Sequence, residues 1–147
     1  MTFKYETVVP WGRSFAEYRH MFRLTDEDLN GRIIGCGDGP ASFNATMRQR
    51  GHHVVSCDPL YQLTASQIKE RIAATYETVI GQTRQNQERF VWDLIKSPDE
   101  LGQIRMTAMS EFLADYFDNV KLGSGEAFPV KIANEYSKKQ TLSPNGA

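Results

Sequence analysis

Apolar positions along the chain fall into two kinds of run. Between residues 32 and 57 they come as short, β-branched stretches, Ile33-Ile34 and Val54-Val55, each closed by a glycine or an Asp-Pro pair. Runs of that length with those neighbours predict short strands. After residue 60 the spacing changes. Ile68, Ile72, Tyr76, Val79 and Ile80 repeat at helical intervals, which predicts a helix reaching about residue 90. Leu101, Ile104, Met109, Phe112, Leu113, Tyr116, Phe117 and Val120 mark a second long amphipathic helix.

Local signals punctuate these runs. Residues 1–13 read as an extended arm broken by Pro10 and Gly12. Ser14 and Glu17 have capping-box spacing, and Phe15, Tyr18 and Phe22 then share a helical face. Thr25 opens a short acid-rich turn, and Asn30-Gly31 closes it. A helix is expected over residues 41–50 with Phe43 and Met47 inward and Gly51 as a left-handed C-cap. Thr64 and Gln67 form another capping box, and Ser97-Pro98 starts the last helix, with Glu100 three residues after the cap. Gly123-Ser124-Gly125 ends it. Residues 123–147 read as a polar tail with at most a weak strand near residues 128–132, so the expected division is a domain over 1–122 and a tail.

The order strand, glycine loop, helix, strand predicts a βαβ unit with two parallel strands. The class is therefore α/β.

Composition adds mainly exclusions. The 147 residues suit one domain, 40% are apolar, and the net charge of −1 shows no nucleic-acid or membrane surface. No apolar run approaches a membrane span, and the N-terminus lacks secretory character. Two cysteines, Cys36 and Cys57, are too few for a disulfide framework, so a cytoplasmic location is expected. Both are expected to be buried thiols ending neighbouring strands. His20, His52 and His53 are the only histidines, and surface positions suit them better than metal ligation.

The chemistry concentrates at Gly35-Cys36-Gly37-Asp38-Gly39-Pro40. A glycine loop between strand and helix lets a ligand approach the backbone closely. Asp58 ends the next strand, where a carboxylate can accept from the hydroxyls of a ribose lying over the loop. Counted from Gly35 or Gly37, the third glycine of the dinucleotide fingerprint falls on Pro40 or Ser42, so that pattern fails. Asp38 would repel a pyrophosphate but suits a ligand carrying an ammonium and a sulfonium. Sign therefore favours S-adenosylmethionine over a nicotinamide dinucleotide. The plain alternative is a glycine turn with no ligand and a solvated Asp58.

The stretch from Ile34 to Asn44 resembles the first motif of class I S-adenosylmethionine-dependent methyltransferases. Val54-Val55-Ser56-Cys57-Asp58-Pro59-Leu60-Tyr61 resembles their second. Flanking runs, residues 9–15 and Phe90-Val91-Trp92-Asp93, are similar to a bacterial group with a helical insertion after the second strand. The resemblance covers residues 8–120. It implies a Rossmann-like, doubly wound sheet, incomplete here, with a long helical insertion and S-adenosylmethionine as cofactor. Gly37 and Gly39 would pass under the methionine part, with Gly35 and Asp38 in the same cofactor-binding loop and Asp38 partly compensating electrostatically for the acid that the family places there. Asp58 would hold the ribose, Leu60 would lie near the adenine, and Arg13 and Tyr18 would close over the ligand. Two departures stand out. The acid that the family places two positions before its first glycine is here Gly35, or Ile33 in the other register. The third to seventh strands are not found, so the chain reads as a truncated cofactor-binding half with the methyl acceptor unassigned. Apolar surface left without those strands is expected to drive self-association. A non-catalytic dimeric interaction protein that keeps part of a Rossmann unit is the competing reading. A nucleotide-binding oxidoreductase is a weaker one.

Overall fold

The computed structural model describes residues 9–121, with side chains over residues 9–116. In chain order it holds α1 (Phe15–Met21), α2 (Asp26–Leu29), β1 (Ile33–Cys36), α3 (Phe43–Gln49), β2 (Val54–Cys57), a 3-10 turn (Pro59–Gln62), α4 (Ala65–Gln85), a second 3-10 turn (Gln87–Arg89) and α5 (Pro98–Lys121). The expected tail strand, the first eight residues of the arm, and the Phe117 and Val120 side chains lie outside the described residues.

Side-chain caps start most helices. Ser14 and Glu17 form a reciprocal capping box on α1, Thr25 and Asp28 on α2, and Thr64 and Gln67 on α4. Ser97 Oγ accepts from the Glu100 amide at the start of α5, while the Glu100 carboxylate takes the Lys96 amide instead. Gly51 ends α3 at φ +80. The helix α4 stops at Gln85, before residue 90. The buried Asn86 turns its amide back onto the Gln82 carbonyl at 2.8 Å, competing with the helical ladder.

The sheet among the described residues is one parallel pair, with Ile33 opposite Val54 and Cys36 opposite Cys57. Parallel strands need a crossover, and α3 supplies it. The fold is thus a mixed α/β arrangement with a two-stranded parallel sheet. One apolar cluster joins Leu29, Phe43, Met47 and Val54, with Phe15, Tyr18, Leu24 and Ile33 against it. The other joins Leu60, Tyr61, Ile68, Ile72, Met109, Phe112 and Tyr116, with Trp11 and Cys57 against it. Strand β1 is less covered than its apolar sequence predicts: Ile34 is 68% exposed. The cysteine expectation is also corrected, because Cys36 is exposed and Cys57 only partly buried. By strand alternation Cys36 shares the exposed face of β1 with Ile34.

The arm meets the glycine loop at Gly12. A Cβ there would stand 2.0 Å from the Pro40 carbonyl oxygen and 2.8 Å from the Ala41 nitrogen. Those are backbone atoms, and the Arg13 carbonyl fixes them by accepting from the Ser42 amide at 2.9 Å. Gly12→Ala should therefore destabilise the fold by about 1–3 kcal/mol. Urea denaturation checks it, and an unchanged midpoint would contradict this close approach.

Candidate functional site

The loop after β1 is built by two glycines in left-handed conformations, Gly37 at φ +72 and Gly39 at φ +55. Only glycine takes these angles without strain. Two of the loop's amides, however, are already bonded within the protein. The Gly37 amide donates to the Cys57 carbonyl at 2.7 Å, and the Gly39 amide donates to Asp58 Oδ2 at 3.0 Å. The Tyr61 hydroxyl donates to the Gly39 carbonyl at 2.8 Å. The end of β2 and the 3-10 turn after it thus tie the loop down at three points.

Asp58 points toward the bend, as the sequence reading requires. Its Oδ1 also accepts from the Leu60 amide at 2.8 Å, capping the 3-10 turn. Each oxygen therefore holds one backbone donor. A carboxylate offers about four acceptor positions, so roughly one remains on each oxygen. Asp58 is partly exposed, which leaves those positions accessible. Leu60 takes a different place from the one expected. Its side chain is 4% exposed in the core cluster, and its amide is what it contributes here.

Asp38 is the charged group most enclosed by the loop, at 9% exposure. Its carboxylate folds back over Gly35: a Cβ on Gly35 would lie 1.9 Å from Asp38 Oδ2. The Tyr18 hydroxyl donates to Asp38 Oδ1 at 3.0 Å. Burial raises the Asp38 pKa above the ordinary carboxylate range. Hydrogen bonds from Ser56 and Tyr18 pull the other way, and the nearby Asp58 charge adds to the rise. Burial, then the Asp38 charge, likewise pushes the Tyr18 phenol far above its usual range, so it stays a neutral donor.

A cleft of about 490 Å³ opens between α1 and β1. That volume falls within the usual range for small-molecule sites. Arg13, Tyr18, Gly35, Gly37 and Asp38 all line it, so the fold brings most of the candidate residues together. Gly39, Asp58 and Leu60 are not among its lining and lie along the loop and the end of β2. Sequence reasoning missed the apolar wall, Met21, Phe22, Leu24, Ile33, Ile34 and Phe43. The shared face of Phe15, Tyr18 and Phe22 was the available signal, since it turns two of those aromatics toward β1 and α3. His20 lines a separate groove with Arg19, Arg23 and Arg50. No group of three metal-ligating side chains exists among the described residues, and no helix there is long and apolar enough to cross a membrane.

The chain is 30% identical over 111 residues to an uncharacterised protein of Methanocaldococcus jannaschii, covering 75% of this chain and 50% of that one. The chain spans about half the length of that curated relative. No family model matches the chain, and no solved structure does.

Proposed function

We propose that this chain binds S-adenosylmethionine across the glycine loop and forms the cofactor-binding part of a Rossmann-like, class I methyltransferase. The observation that carries the reading is the seating of Asp38. The family's acid belongs at position 35 when Gly37 is taken as the first glycine. Here position 35 is glycine, and the Asp38 carboxylate occupies the space a side chain at 35 would enter. On this reading Asp38, three residues downstream, takes over the role of the missing acid. In this reading Asp38 receives the ligand's ammonium, and the spare acceptor positions of Asp58 receive the ribose hydroxyls.

Electrostatics supports the same ligand class. A pyrophosphate site needs free backbone amides at the loop. The Gly37 and Gly39 amides are occupied, and two carboxylates flank the bend. A cationic sulfonium ligand fits that field, and a dinucleotide does not. Methyl transfer is an in-line displacement, so such a site contributes chiefly by positioning the donor.

Isothermal titration calorimetry tests this. S-adenosylmethionine and S-adenosylhomocysteine should bind in the micromolar range, and ATP and NADH should give no heat. Ionised Asp38 attracts the ammonium, and its pKa is raised, so affinity should climb as pH rises through and above the ordinary carboxylate range. Asp38→Asn should flatten that dependence. A folded sample giving no heat with millimolar S-adenosylmethionine ends the proposal.

A second reading, a dimeric interaction protein, draws on the exposed Ile34 beside the open side of β1. It predicts a concentration-dependent dimer in sedimentation that Ile34→Lys abolishes, with no ligand effect on melting.

A further inference from the structure

We propose that Cys36 and Cys57 form a peroxide-responsive dithiol at the ends of the two strands, with Cys36 oxidised first and Cys57 closing an intramolecular disulfide.

The two residues are direct partners in the parallel register. Neighbouring strands lie about 4.8 Å apart, inside the roughly 4.4–6.8 Å window of Cα separations that disulfides span. Residues at paired positions also project to the same side of a sheet. The Gly37 amide bonds to the Cys57 carbonyl at 2.7 Å, holding the strand ends together one residue past the thiols. Both thiols are free, and the chain has no other cysteine to compete.

Their surroundings assign an order. Cys36 is exposed and lines the cleft, so a small hydroperoxide reaches it directly. Cys57 is partly enclosed. Burial, then the Cys36 and Asp38 charges, push its thiol up, which makes it the slower of the two to react with a free oxidant. In the first step the Cys36 sulfur attacks a hydroperoxide, the O–O bond breaks, and sulfenic acid and water (or an alcohol) result. In the second, the Cys57 sulfur attacks that sulfenic sulfur, the S–O bond breaks, and the disulfide forms with release of water. The hydroperoxide is reduced and the two thiols are oxidised. A thiol reductant reverses the change.

The disulfide would sit one residue before both Gly37 and Asp58, so it reports on the loop whatever ligand the cleft takes. The test treats the full folded chain with hydrogen peroxide and follows intact mass and free thiols. Both thiols should disappear together as a monomer lighter by two hydrogens, and dithiothreitol should restore them. Cys57→Ser should leave Cys36 as a sulfenic acid trapped by dimedone, while Cys36→Ser should leave Cys57 reacting at least several-fold more slowly. Independent oxygen adducts on each cysteine would overturn the proposal. So would disulfide-linked dimers as the main product, or equally fast closure in the urea-unfolded chain.

Discussion

Replacing Asp58 with alanine should abolish S-adenosylmethionine binding in the proposed site and loosen the loop in the same step. The side chain holds the Gly39 amide at 3.0 Å and the Leu60 amide at 2.8 Å. Hydrogen bonds to a charged acceptor are worth about 1.5–3 kcal/mol each when buried, and Asp58 is only partly so. A loss of about 2 kcal/mol is expected by urea denaturation. The informative variant is Asp58→Asn. Its amide oxygen can keep one backbone donor but loses the charge and half the acceptor capacity. On the ligand reading it should retain most stability while weakening S-adenosylmethionine at least tenfold by calorimetry. Unchanged affinity in Asp58→Asn would mean the residue serves only as a staple for the loop.

The largest effect on stability should come from Glu17→Ala. Glu17 caps α1 through the Ser14 amide at 2.8 Å and also receives a bond from the Arg105 guanidinium of α5. The Arg105 side chain is 6% exposed and its Nε has no partner, so Glu17 is its main counter-charge. Stranding a buried charge costs about 3–5 kcal/mol. For a chain of this size that lowers Tm on the order of 10 °C. The Glu17 pKa carries the same information. Burial by itself would raise it, but the Arg105 bond, the Ser14 contacts and the Arg105 charge outweigh burial and leave it lowered. A lowered folded-state pKa means the contribution is present above the ordinary carboxylate range and is lost as pH falls through it. Glu17→Ala should therefore cost most near neutrality and little in strong acid. Scanning calorimetry across that range decides it, and a pH-independent loss would assign the effect to the cap alone. Arg105→Met in the Glu17→Ala background should recover part of the stability, since it removes the orphaned charge.

What could be read from the sequence was what short range determines. The box between Ser14 and Glu17, the box between Thr64 and Gln67, and the turn at Gly51 each involve residues a few positions apart, and each formed as expected. The strand, loop, helix, strand order was equally legible, because the hydrophobic period changes at each boundary. The long helices start where the pattern places them, and α4 stops early at Asn86, where a side chain rather than the pattern decides the end, while the expected end of α5 at Gly123 lies outside the described residues. The site was harder. That Asp38 would lie over Gly35 depends on the loop's left-handed angles, which composition does not reveal. That Leu60 would enter the core depends on the packing of α4 and α5 against the 3-10 turn. Arg105 sits in the buried stripe of α5 because Glu17 meets it from another helix, and helical spacing carries no trace of such a partner.

That ion pair joins residues 88 positions apart. It anchors α1, whose Tyr18 then braces Asp38 above β1. One wall of the cleft is thus held upright by the last helix described, although every residue lining it comes from positions 13–43. Contacts so remote in the chain carry a loop-closure cost. During synthesis the strand–loop–helix unit can emerge while the α1 wall of the cleft still lacks its Arg105 anchor from α5.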